Sequence, residues 1–285
     1  MAGRILIAGC GDIGNALGIA LIKDGHKVWG LRRNTGALAA GLSPLQVDLG
    51  EPIAPGTLPD NVSAVVYTAA PNERTDAAYH RAYVKGVSHL LYALTPTARV
   101  FFVSSTSVYG QTTGEWVDEA SPTTPPGFNG RQILEAERLV HAAPSRSTCV
   151  RFGGIYGPAR ARLAKQVLAG DGALKADSAP GVPFFTNRIH RDDCVSLLHF
   201  LLTLPATPEI LLGVDSDPAP YNDVLQWIAT RAKKSLQVPN SSPSLGPNKR
   251  CSNRALQSLG FQLRYPSFRD GYGEILTSLL DTPGK

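Results

Sequence analysis

Gly9-Cys10-Gly11-Asp12-Ile13-Gly14 is the stretch of this chain with the plainest chemical purpose. Its spacing, Gly-x-Gly-x-x-Gly, lets Gly9 make a tight turn. Gly11 lets the backbone approach a pyrophosphate, and Gly14 lets a helix pack closely on a strand. Asp12 and Ile13 open that helix, whose unpaired N–H groups and partial positive charge suit phosphate. The alternative is a glycine-rich structural turn. The surroundings favour a dinucleotide, with a strand before, a helix after and a second strand at the right distance. That second strand ends in Leu31-Arg32-Arg33-Asn34, where an NAD site would carry an acid for the ribose 2′-hydroxyl. Arginine attracts a 2′-phosphate instead and can grip it bidentately. NADP is therefore the preferred cofactor over NAD, the alternative being two arginines on an ordinary solvated loop. Asp48, in Val47-Asp48-Leu49, could accept from an adenine amino group or cap the turn that follows.

Elements able to position these residues are legible around them. Arg4-Ile5-Leu6-Ile7-Ala8 is a short apolar run suited to a strand buried on both faces. A helical pattern through Ile13, Leu17, Ala20 and Leu21 stops at Gly25, and Lys27–Leu31 restarts a strand. Further strands are expected at Gln46–Leu49, Ala64–Thr68, Arg99–Val103 and Thr148–Phe152. Helices are expected at Tyr79–Leu94 and Gln132–Ala142. Pro122–Gly130 and the Pro- and Ser-rich 238–250 read as loops. Strands alternating with helices argue for an α/β, doubly wound parallel sheet.

Composition narrows the partners. The 285 residues, at roughly 150 per domain, make one large domain or two intimate ones. Hydrophobic residues are 43% and charged residues 18%, which excludes a disordered chain. Lys+Arg 28 against Asp+Glu 23 gives a charge of +5. No basic block extends beyond two residues, so no nucleic-acid partner is expected, and a groove for an anionic small molecule is the more economical use of the surplus. Cys10, Cys149, Cys194 and Cys251 form no CxxC pair and stand at no metal-ligand spacing from histidine, so no metal is expected. With neither a signal-peptide core nor 18 consecutive apolar residues, a cytoplasmic protein with no membrane partner is the expectation.

The chain resembles the extended short-chain dehydrogenase/reductases, the NAD(P)-dependent epimerase/dehydratase family. The stretches that carry the resemblance are the glycine turn, Val47-Asp48-Leu49, Thr68-Ala69-Ala70, Ser104-Ser105-Thr106-Ser107-Val108-Tyr109-Gly110, Asp118-Glu119-x-x-Pro122, Arg151-Phe152-Gly153-Gly154-Ile155-Tyr156-Gly157-Pro158 and Asn187-Arg188-Ile189-His190-x-Asp192-Asp193. It implies a Rossmann-like doubly wound sheet with a smaller C-terminal α+β substrate lobe. Residues 1–155 would bind NAD(P), with 187–215 returning to that domain, and 156–186 and 216–285 would form the lobe. It also implies that Leu49, Thr68, Ala69 and Ala70 line the cofactor. A homodimer is compatible with it.

In that family a Ser or Thr, a Tyr and a Lys carry the proton chemistry. Ser105 falls at the Ser/Thr position, with Ser107 a second hydroxyl at the same strand end. The Tyr-x-x-x-Lys pair would fall on Asn129 and Ile133, and no register supplies it. The sequence has no tyrosine between Tyr109 and Tyr156, and no lysine between Lys85 and Lys165. Two lesser candidates for acid/base work are Tyr83, at the family's active-site Asn position, and His190, in a segment that borders the family's substrate pocket. Arg188 and Arg160, with Arg162 and Lys165 beside the latter, could meet an anionic substrate or be solvated surface charge. The expected function is an oxidoreductase or epimerase acting on a small carbonyl or sugar-nucleotide substrate by a non-standard acid/base. The alternative is a catalytically weak or inactive NADP(H)-binding sensor.

Overall fold

The computed structural model describes residues 2–179, 181–238 and 246–281. In chain order, its elements as far as the third helix are β1 (Arg4–Ala8), α1 (Asp12–Lys23), β2 (Lys27–Arg32), β3 (Ser43–Gln46), β4 (Ala64–Tyr67), α2 (Asp76–Tyr79), a π-helical turn (His80–Lys85) and α3 (Gly86–Ala93). Next come β5 (Arg99–Ser105), β6 (Glu115–Val117), α4 (Phe128–Ala142), β7 (Ser147–Phe152), β8 (Gly154–Tyr156) and α5 (Arg162–Ala169). The chain continues with β9 (Arg188–His190), α6 (Arg191–Thr203), β10 (Ile210–Gly213), α7 (Tyr221–Ala232), β11 (Lys249–Cys251), α8 (Arg254–Ser258) and α9 (Phe268–Asp281).

Seven strands form one sheet in the order β10-β7-β5-β4-β1-β2-β3. The β3–β2, β2–β1, β1–β4 and β4–β5 pairings are parallel, with Ile5 opposite both Val28 and Ala64. All four residues of β4 and the last four of β1 are buried, as strands covered on both faces must be. This is the expected Rossmann-like, doubly wound α/β architecture. The strand order reverses between β1 and β4, and in such sheets ligands settle at the carboxyl ends of the strands flanking that point. Gly25, at φ +85°, ends α1 where the sequence predicts a stop.

Three elements depart from expectation for physical reasons. β3 lies earlier than Gln46–Leu49 because Pro44 is tolerated in a strand at the sheet edge. The helix expected from Tyr79 starts at Asp76, where the Thr75 hydroxyl caps it by accepting from the Ala78 N–H at 3.2 Å, and it is interrupted by the π-turn. α4 starts at Phe128 rather than Gln132, since Gly130 is not a loop glycine. A Cβ there would strike the Ser107 carbonyl and lie 2.5 Å from Pro125 Cβ. Of the expected 238–250 loop, 239–245 lie outside the described residues, and Lys249–Cys251 forms β11, paired in parallel with β6.

The chain divides into two compact units. The first comprises Met1–Val108, Pro125–Arg151 and Val195–Leu211, the second Tyr109–Thr124, Phe152–Cys194 and Leu212–Lys285. Residues 195–211 group with the first unit and residues 212–215 with the second. Residues 187–194 group with the second unit, where β9 pairs in parallel with β8. The second unit's core is built on α5, α7 and α9 around Val167, Val224, Ile228, Phe268 and Tyr272.

Candidate functional site

The turn after β1 is held by steric fit. Gly9 has φ +80°, and a Cβ on it would collide with the backbone of Ala69, which follows β4. Gly9 and Cys10 both donate their N–H groups to the Leu31 carbonyl, at 2.9 and 3.1 Å, tying the turn to β2. A Cβ on Gly14 would lie 2.9 Å from Ile7 Cγ2 and 3.1 Å from Thr68 Oγ1, so α1 rests directly on the sheet. The Thr68 hydroxyl in turn donates to the Gly9 carbonyl at 3.0 Å. Gly11 differs. A Cβ there would meet only the Gly9 carbonyl oxygen, at 3.8 Å, and would otherwise enter open space. No side chain caps α1 at Gly11, and Asp12 is exposed on its first turn while Ile13 is buried beneath it. A phosphate would find bare backbone and a helix N-terminus at this point.

A cleft of about 410 Å³ opens over this turn. Gly9, Gly11, Arg32, Arg33, Asp48, Leu49, Ala69 and Ala70 all line it, so residues far apart in sequence and expected at a cofactor meet here. Arg32 is half-buried and donates through Nη1 to the carbonyls of Cys10 (3.1 Å) and Ala37 (3.3 Å), whereas Arg33 is exposed. Asp48 accepts from the Gly50 N–H and from Arg81 Nη2, both at 2.9 Å. Partial burial pushes its carboxyl upward. The Gly50 and Arg81 hydrogen bonds outweigh that effect and hold it below the usual carboxylate range. Burial raises the Cys10 thiol to about 11 against the pull of Arg32, leaving it neutral beside the cleft. The fold also brings Asn34, Tyr67, Glu73 and Arg81 to the wall. Sequence reading missed these, since Tyr67 reads as strand core and Arg81 as one of many helix charges.

At the end of β5 the Ser105 hydroxyl accepts from the Ser107 N–H at 3.1 Å, which caps the short helical turn that follows. The Ser107 hydroxyl is buried without a hydrogen-bond partner. Beneath them Ser104 donates to Glu137 at 2.5 Å, and Glu137 accepts two bonds from Arg151, at 2.9 Å to Nε and 2.7 Å to Nη2. α4 contains neither tyrosine nor lysine. Asn129 is half-buried, and Ile133, at the position where the resemblance would put lysine, is a core residue at 3% exposure. Tyr83 belongs to an aromatic group. Its ring lies 5.6 Å from Tyr79 and 6.2 Å, edge-on, from Phe102, and Tyr79 meets Phe128 of α4 at 5.4 Å. Burial, reinforced by Tyr79, pushes the Tyr83 phenol well up.

In the second unit His190 is 1% exposed, with its ring 3.8 Å from that of Tyr265 and 5.2 Å, edge-on, from Tyr156. Its Nδ1 accepts from the Asp192 N–H at 3.2 Å. Burial depresses its pKa despite Asp192, so the ring is a neutral packing element. Asp193 accepts from the backbone N–H groups of Arg264 and Tyr265, at 2.8 and 3.0 Å, and anchors that segment to the start of α6. Arg188 is 4% exposed. Arg160, Arg162 and Lys165 line a separate shallow cleft of about 400 Å³. Among the described residues no helix is long and apolar enough to cross a membrane, and no group of three or more His, Cys, Asp or Glu is placed to hold a metal ion.

Comparison with known proteins places these features in a family. The model of the NAD dependent epimerase/dehydratase family matches residues 5–210. A Methylobacillus flagellatus protein of known structure, provisionally described as an NAD-dependent epimerase/dehydratase, is 34% identical. The match covers 99% of this chain and 100% of that one, with a TM-score of 0.80. Protein YeeZ of Escherichia coli is 30% identical over 172 residues, and the match spans 59% of the length of each. The 3-diazoavenalumate denitrifying reductase of a Streptomyces species is 28% identical over 95% of this chain and 99% of its own length.

Proposed function

The chain belongs to the NAD-dependent epimerase/dehydratase family, and from that premise we propose that it is an NADP(H)-binding oxidoreductase acting on a small carbonyl compound, with a proton donor other than a Tyr-x-x-x-Lys pair. The observation that carries this reading is the composition of the cleft over the glycine turn, where bare backbone at Gly11 stands beside two arginines at the end of β2 and no acid stands there. Gly9, Gly11 and the start of α1 would hold the pyrophosphate. Arg32 and Arg33 would hold the 2′-phosphate, and Asp48 and Leu49 would border the adenine. A nicotinamide nucleotide supplies a hydride donor or acceptor when bound. The likeness to a reductase over nearly the whole chain supports the oxidoreductase assignment over an epimerase.

The groups proposed to meet the substrate oxygen are the Ser105 and Ser107 hydroxyls and the Tyr83 phenol. A phenol whose pKa burial has raised stays protonated at neutral pH, which suits it to donate a hydrogen bond rather than to abstract a proton. A specific observation favours a second reading. Ile133 is locked into the core where this family's lysine would be, which fits an NADP(H) sensor with little turnover. One experiment separates the two. NADPH binding is followed by its fluorescence, and its 340 nm absorbance is then monitored with a panel of aldehydes, ketones and nucleotide-sugars. Turnover is expected. Tight NADPH binding with no turnover of any member would sink the oxidoreductase reading and leave the sensor.

A further inference from the structure

Arg81 stands on the cleft wall beside the backbone after β3, and four independent features hold it there. Its Nη2 donates to Asp48 Oδ2 and its Nη1 to Glu51 Oε1, each at 2.9 Å. Gly50 clears its path, since a Cβ there would collide with the guanidinium Nε and lie 2.5 Å from Cζ. The residue belongs to the π-helical turn, a rare conformation that recurs at functional sites. That turn is pinned by the buried Tyr67, whose hydroxyl donates to the Ala82 carbonyl, and a Cβ on Gly86 would collide with that hydroxyl. Two glycines, one tyrosine and two carboxylates thus fix the plane and position of one side chain that is still 45% exposed.

What such a group can bind follows from its charge surroundings. Arg81 with Asp48 and Glu51 carries one net negative charge, and each terminal nitrogen already faces a carboxylate. A phosphate would find neither terminal nitrogen of Arg81 free and would be drawn instead to Arg32 and Arg33, which line the same cleft. A neutral aromatic ring would not be repelled, and a planar guanidinium fixed at its edges is suited to stack on one. We propose that Arg81 is the platform on which the purine ring of the bound dinucleotide stacks, with its plane set by Asp48, Glu51 and Gly50. This deepens the cofactor reading above and rests on it.

Calorimetric titration with adenosine 2′,5′-bisphosphate and with nicotinamide mononucleotide tests the assignment, alongside the adenine hypochromism near 260 nm that stacking produces. Arg81→Ala is expected to weaken the adenosine ligand by about tenfold, abolish the hypochromism and leave the nicotinamide mononucleotide affinity unchanged. Arg81→Phe, which restores a flat face without charge, is expected to recover most of both signals. Gly50→Ala keeps every charge but displaces the guanidinium, and is expected to behave like Arg81→Ala. The proposal is overturned if Arg81→Ala binds the adenosine ligand as the wild type does, if both ligands weaken equally, or if Arg81→Phe is no better than Arg81→Ala. A wild-type protein that binds neither ligand would overturn the cofactor reading as well, whereas normal wild-type binding with an unaffected Arg81→Ala would overturn this proposal alone.

Discussion

Arg32 donates through Nη1 to the carbonyl of Cys10 at 3.1 Å, so a residue proposed to meet the 2′-phosphate also fastens the glycine turn. Arg33, its neighbour on the same wall, is exposed and lines the cleft from the next position along. The two arginines therefore have separable effects.

Arg33→Ala is expected to weaken NADP binding by about tenfold while leaving NAD unchanged, as loss of one phosphate contact would. Arg32→Ala is expected to weaken both nucleotides, NADP more, because the turn loosens as well. Fluorescence titration with NADPH and NADH checks both. Arg32→Asp with an unchanged ratio of NADP to NAD affinity would refute the 2′-phosphate role.

Glu137 and Arg151 form a two-pronged ion pair with both side chains 3% exposed. Removing one partner strands a charge in the core, and Glu137→Leu alone is expected to cost about 3–5 kcal/mol of stability in chemical denaturation. The double variant Glu137→Leu with Arg151→Met should recover most of that loss. A single variant as stable as the wild type would contradict the burial described.

All four cysteines are buried and unpaired. Burial raises Cys10 to about 11 and Cys251 to about 12. The native protein should react with no thiol reagent at pH 8 on a scale of minutes and expose all four thiols on denaturation. The sign of the pH effect follows. Unfolded thiols ionise first, near pH 8.5, so the stability these groups contribute is complete below that value and is lost as pH rises toward 11. Denaturation midpoints measured from pH 7.5 to 10.5 should fall, and should fall less in Cys10→Ser than in the wild type.

Asp193 satisfies two backbone donors, on Arg264 and Tyr265, that no other described group reaches. Asp193→Ala should cost about 2 kcal/mol and accelerate hydrogen exchange at residues 264 and 265 before it affects the α1 amides.

The glycine turn and the strands around it were legible because each depends on local spacing. Gly9 and Gly25 are dictated by a positive φ at their own turns, and Gly14 by the approach of Ile7 in the preceding strand. Arg81 was not legible. Its place depends on Gly50, Asp48 and Tyr67, which lie 14 to 33 positions away and carry no shared periodicity. His190 stands out in the sequence, yet the structure buries it against Tyr265. A histidine near a pocket motif and a histidine stacked on Tyr265 look alike until the ring's neighbours are known. β3 was misplaced because a proline argues against a strand unless the strand is known to lie at an edge.

The chain crosses between its two compact units repeatedly, and β10, the last strand of the large sheet, ends at Gly213. On a ribosome, then, the seven-stranded sheet cannot be completed until Gly213 has emerged. Until that moment the flank of β7 has no partner strand. Neither unit is one uninterrupted stretch of the chain, so neither can finish folding before segments on both sides of the other have been made.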